Sequence, residues 1–151
     1  MEIKNNNYKI GIVVGRFNRP VTEKMQQGAI DKLKELGVPD QDVTLVEVPG
    51  AFEIPLIVKE MFEMGLDGVV TVGAVIRGDT SHFDFVCNAA ERGCSELALE
   101  YRRPVGFGVI TTENSEQAYD RAGGKKGNKG AEAAEVVMEM LNIKEKLSTN
   151  S

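Results

Sequence analysis

Residues 68–86 read GVVTVGAVIRGDTSHFDFV, and their pattern indicates the class of fold. Its first half is a continuous apolar run, rich in β-branched residues and bounded by glycine, which is typical of a strand buried on both faces of a parallel sheet. A polar turn follows, and then an apolar helical period resumes. The stretch therefore predicts a strand over 68–76, a loop, and a helix from about Asp84 to Tyr101.

The polar turn carries groups that suit an anion and proton transfer. Gly78, Asp79, Thr80 and Ser81 offer hydroxyls and unobstructed backbone N–H groups near a helix start, an arrangement that favours phosphate. The turn also holds His82, the only histidine, whose reference pKa near 6.5 suits proton transfer at neutral pH. We therefore predict functional chemistry at this turn, although His82 can also be read as an ordinary surface histidine.

Size and composition limit the possible classes of protein. The 151 residues fit one domain, which we place over 1–151, and the net charge of −5 argues against non-specific nucleic-acid binding. Cys87 and Cys94 cannot complete a zinc site with a single histidine, so we expect reduced core thiols and no metal. A polar beginning and the lack of a membrane-length apolar run predict a cytoplasmic protein without a membrane partner.

A strand followed by a helix is the unit that repeats along the chain. Because no tight hairpin signal joins the strands, we predict parallel pairing and right-handed crossovers. The predicted fold class is α/β, a three-layer αβα sandwich around a four-stranded parallel sheet. We expect the polar segments 1–8 and 142–151 to fray. The other predicted strands are 9–14, 43–48 and 104–110, and the other predicted helices are 20–36, 55–65, 115–122 and 131–141.

The turns after the four strands should share one end of the molecule, because ligands of open parallel sheets bind outside the carboxyl ends of the strands. These turns bring together an aromatic ring, a carboxylate, a phosphate-type loop and a histidine, which suit a flat polar ring plus a phosphate. Phe17 can instead be a hydrophobic staple of the first helix, and Glu53 a carboxylate favoured by a helix dipole. The residues at the rim are Phe17, Ala51, Phe52, Glu53, Asp79, Thr80, Ser81, His82, Thr111, Thr112 and Glu113.

A glycine- and lysine-rich stretch over 123–130 is similar to a phosphate loop but does not meet the Gly-x4-Gly-Lys-Ser/Thr pattern. A solvated basic turn is therefore an equally open interpretation. Arg121, which precedes this stretch, is either a surface helix residue or part of an anion site.

Four motifs occur in order across nearly the whole chain: GRFN at 15–18, PGAFEIP at 49–55, GAVIRGDTSHFD at 73–84 and RAGGKKGNKG at 121–130. Together they resemble the 6,7-dimethyl-8-ribityllumazine synthase family of riboflavin biosynthesis. The resemblance implies a flavodoxin-like fold and the condensation of 5-amino-6-(D-ribitylamino)uracil with 3,4-dihydroxy-2-butanone 4-phosphate, which releases phosphate and water. It implies neither a metal nor an organic cofactor.

The resemblance also implies roles for individual residues. His82 is expected to carry protons as the catalytic residue. Contacts to the pyrimidine substrate are expected from Phe17, Ala51, Phe52, Glu53, Ala74, Val75, Ile76 and, from a neighbouring subunit, Phe107. Contacts to the phosphate are expected from Asp79, Thr80, Arg121 and Lys129.

The expected partners are small-molecule substrates and further copies of the chain. Family members form rings of five subunits, often packed into a shell of sixty, and riboflavin synthase is a further candidate partner. Two other classes stay open: a flavin- or nucleotide-binding module of flavodoxin-like architecture, and an archaeal-type riboflavin synthase. The lack of a Gly-x-Gly-x-x-Gly motif after the first strand counts against the module.

Overall fold

The computed structural model describes residues 2–77 and 82–149. Two single 3-10 turns, Asp40–Asp42 and Ala51–Glu53, precede the second strand and the second helix. In chain order the other elements are β1 (Ile10–Gly15), α1 (Arg19–Glu35), β2 (Val43–Val48), α2 (Ile54–Glu63), β3 (Gly68–Ile76), α3 (His82–Tyr101), β4 (Val105–Thr112), α4 (Ser115–Asp120), β5 (Ala122–Gly124), β6 (Gly127–Asn128) and α5 (Lys129–Thr149).

The main sheet has four parallel strands in the order β2-β1-β3-β4, so the predicted fold class is confirmed. All six residues of β1 and the first seven of β3 are buried, as their unbroken apolar sequences predict for central strands. Neighbouring residues of a strand face opposite sides of a sheet, and Ile12 and Val13 accordingly belong to two separate cores. Helices α1 and α5 cover the core that contains Ile12, and α2 and α3 cover the core that contains Val13.

Helix α5 packs close to its neighbours because glycines leave room for backbone contacts. A Cβ atom at Gly130 would overlap the backbone carbonyl oxygen of Met25 in α1. One at Gly106 of β4 would overlap the carbonyl oxygen of Ala133 in α5. In both places the obstacle is backbone, which no change of side-chain rotamer can remove.

The end of the last helix differs from the sequence prediction. We expect it to stop at about Leu141, but α5 continues to Thr149, and the segments expected to fray contact each other. The backbone N–H of Lys4 donates to Oδ1 of Asn142, and Nδ2 of Asn142 donates back to the carbonyl of Lys4, both at 2.9 Å. The hydroxyl of Tyr8 donates to the carboxylate of Glu145. Polar residues far apart in the sequence therefore stabilise the last turns of α5.

The stretch over 123–130 is a short hairpin, made by β5 and β6, that leads into α5. Gly123 and Gly127 have φ angles of 112° and 80°, which glycine adopts without strain. Oδ1 of Asn128 accepts the N–H of Ala131 at 3.1 Å and caps α5, while its Nδ2 donates to the carbonyl of Lys24 at 3.0 Å. The predicted turn is thus a structured connection from α4 to α5 that is also hydrogen-bonded to α1.

Helix α3 begins at His82 rather than at Asp84, so His82 opens the helix instead of standing in the turn before it. The preceding turn residues Gly78, Asp79, Thr80 and Ser81 lie outside the described residues. Within the described part of the chain, no helix is both long and apolar enough to cross a membrane.

Candidate active site

The loops after β1 and β2 run side by side beyond the sheet. The N–H of Arg16 donates to the carbonyl of Val48 at 2.9 Å, and that of Phe17 donates to the carbonyl of Pro49 at 3.1 Å. The ring of Phe17 lies over Gly50, because a Cβ atom there would come within 2.6 Å of Cδ2 of the ring. Phe17 is 66% exposed, so its ring forms part of an open surface rather than the core of the first helix.

Asn18 joins this loop to the end of β3. Its backbone is left-handed, with φ of 63°, and its carbonyl accepts the N–H groups of Val21 and Thr22 at the start of α1. Its side-chain Nδ2 donates to the carbonyl of Ala74 at 2.9 Å. Sequence reasoning assigned Asn18 no role, although asparagine at a helix N-cap, just before an arginine-proline start, was the available signal.

One cavity of about 530 Å³ lies at the ends of β1, β2 and β3. All the residues predicted to contact the pyrimidine line it, apart from Phe107, and His82 lines it as well. The cavity also includes Asn18, Gly50 and Val86, which the sequence did not single out. The structure therefore brings the aromatic ring, the carboxylate and the histidine to one place.

Apolar surface dominates this cavity, and few polar groups project into it, as is usual for sites that bind small molecules. Phe17 and Phe52 contribute exposed aromatic rings. The carboxylate of Glu53 makes no side-chain cap to α2, although Glu53 stands at the N-terminus of that helix. An uncapped carboxylate at the edge of a flat apolar cavity can accept N–H groups of a ring lying between the aromatic walls.

The other predicted residues gather elsewhere on the same chain. Phe107, Arg121 and Lys129 line a separate depression of about 320 Å³ beside the end of β4, and this depression shares no lining residue with the first cavity. Phe107 is 41% exposed, although it lies in the middle of the edge strand. Of the residues predicted to bind phosphate, Asp79 and Thr80 fall outside the described residues.

The depression beside β4 is positively charged. Arg121 follows α4 as its C-cap residue and Lys129 begins α5, and the Arg121 carbonyl accepts the backbone N–H of Lys129 at 2.9 Å. Nζ of Lys129 lies 3.2 Å from Oε1 of Glu132, whereas within 2–77 and 82–149 no carboxylate forms an ion pair with Arg121. The guanidinium group of Arg121 is therefore available to an external anion.

The two cysteines are free thiols. Cys94 is buried in α3, and its burial raises the pKa of the thiol to about 12. Burial also raises the pKa of the partly exposed Cys87, with a further contribution from the nearby carboxylate of Asp84. Neither thiol is activated as a nucleophile. Among the described residues, no group of three or more histidine, cysteine, aspartate or glutamate side chains could hold a metal ion.

The sheet order defines a flavodoxin-like α/β protein, and its cavity lies at the carboxyl ends of the strands, where open parallel sheets commonly bind ligands. The chain belongs to the 6,7-dimethyl-8-ribityllumazine synthase family, whose sequence model matches residues 7–145. The 6,7-dimethyl-8-ribityllumazine synthase of Bdellovibrio bacteriovorus is 50% identical over 139 residues, which cover 92% of this chain and 76% of that protein. The predicted family and the predicted activity, a transferase of riboflavin biosynthesis, are confirmed. The two alternative classes are not favoured.

Proposed function

We propose that the cavity at the ends of β1, β2 and β3 binds 5-amino-6-(D-ribitylamino)uracil. The exposed ring of Phe17 stacks on the pyrimidine, and the carboxylate of Glu53 accepts N–H groups of the substrate. Residues 74–76 at the end of β3 and residues 51–52 complete the contacts to the uracil and the ribityl chain. The observation that carries this proposal is the joint lining of one cavity by Phe17, Glu53 and His82.

The second substrate is 3,4-dihydroxy-2-butanone 4-phosphate, and the reaction needs no protein nucleophile. The amine of the pyrimidine attacks the ketone, and one water leaves as the imine forms. Phosphate is then eliminated, and the ribitylamino nitrogen attacks the carbonyl that this elimination leaves, so that the ring closes with loss of a second water. The protein holds two molecules in reactive geometry and moves protons between these steps. His82, at the cavity edge, is the proton carrier in this proposal.

The phosphate group of that substrate binds Arg121, with Lys129 assisting, together with Asp79 and Thr80. A phosphate takes charge-assisted hydrogen bonds from a guanidinium group, and Arg121 has no described carboxylate partner that competes for them. Because Asp79 is itself an anion, its backbone N–H rather than its carboxylate should face the phosphate. This assignment rests on the family resemblance and on the charge of the depression beside β4.

The active site is shared between two copies of the chain. One chain carries both halves, but the cavity with His82 and the depression with Phe107 and Arg121 have no residue in common. A head-to-tail contact repeated around a ring would set the first half of one copy against the second half of the next. We propose a ring of five such copies, which can pack further into a shell of sixty, each copy forming one domain over 1–151.

The cellular setting follows from the same assignment. We propose that the protein acts in the cytoplasm, where its substrates are soluble metabolites. Riboflavin synthase, which uses the lumazine product, is the proposed protein partner. Co-purification of the two enzymes from the cytoplasmic fraction would test both statements.

The activity is tested by incubating purified protein with both substrates and following the absorbance and fluorescence of the lumazine. Product should form only when both substrates are present. A control with the lumazine alone should stay unchanged, whereas its conversion to riboflavin would indicate the riboflavin synthase alternative. Binding of a flavin or nucleotide without any turnover of the substrate pair would instead support the module alternative.

A further inference from the structure

Arg77 links three elements at the end of the sheet that bears the first cavity. Its backbone N–H extends the pairing of β3 with β4 by donating to the carbonyl of Thr112 at 2.8 Å. Its Nε lies 2.9 Å from a carboxylate oxygen of Glu113, just beyond β4, and a terminal guanidinium nitrogen lies 3.5 Å from Oδ1 of Asp84. The guanidinium carbon also stands 4.4 Å from the centre of the Phe83 ring.

Two of these partners, Phe83 and Asp84, belong to the first turn of α3 and directly follow His82. The first turn of a helix has backbone N–H groups without intrahelical partners and frays readily unless other groups hold it. A planar guanidinium group that stacks on one residue and forms an ion pair with the next fixes both the position and the rotation of this turn. His82, one residue earlier, is then fixed with it.

The contacts of Arg77 are too exposed to be explained by stability alone. The side chains of Arg77, Asp84 and Glu113 are 40%, 63% and 62% exposed, and separate ion pairs of this kind contribute little to folding. Arg77 is also absent from the lining of the cavity, and its guanidinium group contacts Glu113, Asp84 and Phe83 instead. What the geometry provides is orientation, because one rigid group meets two residues of α3 and one residue just beyond β4.

We propose that Arg77 is a positioning residue that holds His82 at the cavity by fixing the first turn of α3 against the ends of β3 and β4. This inference rests on the proposed role of His82 as the proton carrier. Arg77 acts through His82 and touches neither substrate in this cavity. Its effect should therefore fall on turnover, and it should vanish when the imidazole is absent.

The test is a double-mutant cycle built from Arg77→Lys, His82→Ala and the double variant. Lysine keeps the charge but lacks the planar fork, so it cannot stack on Phe83 while also contacting Glu113 and Asp84. We expect Arg77→Lys to lower kcat about three- to tenfold with an unchanged KM for the pyrimidine, and His82→Ala to lower kcat about 10²-fold. In the His82→Ala background, Arg77→Lys should change kcat less than about twofold.

Arg103 supplies a matched control at the other end of α3. Its guanidinium group donates to the carbonyl of Phe62 at 2.7 Å and lies over the rings of Phe62 and Tyr101, far along the helix from His82. Arg103→Lys should lower the melting temperature without changing kcat. Should Arg77→Lys prevent folding, Glu113→Gln weakens the same arrangement from its β4 side and should lower kcat in the same selective way.

The outcomes separate the inference from the function on which it rests. An unchanged kcat in His82→Ala would overturn the proposed role of His82 itself. A slow His82→Ala variant combined with a fully active Arg77→Lys variant would overturn only the positioning role. Equal losses from Arg77→Lys in both backgrounds would also overturn it, because they would mean that Arg77 acts independently of His82.

Discussion

A single glycine determines where the stacking ring of the cavity can lie. Gly50 has extended backbone angles that any residue can adopt, so its only special property is the space that it leaves for Phe17. The Cβ atom of an alanine would stand 2.6 Å and 3.0 Å from two ring carbons, Cδ2 and Cε2. The exposed ring can turn away at little cost to folding.

Gly50→Ala should therefore weaken binding of the pyrimidine without destabilising the fold. We expect the KM for 5-amino-6-(D-ribitylamino)uracil to rise about tenfold, which corresponds to the roughly 1.4 kcal/mol of a displaced stacking contact, while the melting temperature stays the same. Steady-state kinetics with the second substrate saturating measures this change. Gly73→Ala is the matched control, since its new Cβ atom would meet only ordinary contacts from 3.4 Å outward. Equal KM values in the two variants would contradict the role of Gly50.

The raised pKa of Cys94 predicts how the free energy of unfolding changes at alkaline pH. Burial raises the pKa of its thiol to about 12, so the folded protein holds this proton more tightly than the unfolded chain, whose thiol has a pKa of about 8.5. The contribution of this raised pKa to the free energy of unfolding is complete below about pH 8.5, the pKa of the thiol in the unfolded chain. It falls by up to about 1.4 kcal/mol per pH unit as the pH rises toward 12.

The variant Cys94→Ala should flatten this decline. It lowers the free energy of unfolding near neutral pH, because it leaves a small cavity, but the difference from the wild type should shrink between about pH 9 and 11. Tyr101, whose pKa is raised to about 12 mainly by its hydrogen bond to Glu63, titrates in both proteins and cancels in the comparison. Urea denaturation at several pH values gives the two curves, and parallel curves would show that Cys94 is not the titrating group.

At the scale of elements, the packing of α5 against α1 depends on backbone meeting backbone. Gly130 stands where a side chain would overlap the carbonyl of Met25. Gly130→Ala should push the two helices apart and lower the free energy of unfolding by about 3 kcal/mol, the upper range for an overpacked core. Chemical denaturation measures the loss. A loss below about 1 kcal/mol would mean that the helices separate easily, and Gly73→Ala again serves as the tolerated control.

The sequence predicted the elements that their own residue pattern identifies and missed the features that depend on distant contacts. The four strands of the main sheet carry apolar runs that identify them directly. The predicted end of α5 was wrong because Asn142, a polar residue in the segment expected to fray, is held by Lys4 at the other end of the chain. The sequence left a solvated basic turn open for residues 123–130. It could not show the contact of Asn128 with α1, which lies about a hundred residues earlier in the chain.

The same distinction applies to the site. The positions of the strand ends predicted Phe17, Glu53 and His82 at the rim, and the resemblance to a family added their roles. Asn18 offered only the signal of a helix N-cap and Gly50 offered none, and their contacts with β3 and with the Phe17 ring form only in the folded chain. Residues of that kind become visible only when the strand ends are placed next to one another.

At the scale of the whole molecule, the separation of the two half-sites predicts that activity needs two copies. The His82 cavity and the Arg121 depression lie apart on one chain, so a variant defective in one half still carries the other half intact. His82→Ala and Arg121→Ala proteins should each be nearly inactive. When they are unfolded together and refolded as mixed rings, active sites should reappear wherever the intact half of one variant meets the intact half of the other.

Random mixing in equal amounts should restore about one quarter of the wild-type activity, because each interface needs one particular chain on each side. Native mass measurement confirms that the rings contain both chains. The matched control mixes His82→Ala with Phe17→Ala, two defects in the same half, and should restore nothing, because every interface then carries one or the other defect. If the first mixture is no more active than the average of its two components, the site lies within one chain and Arg121 does not serve the neighbouring copy.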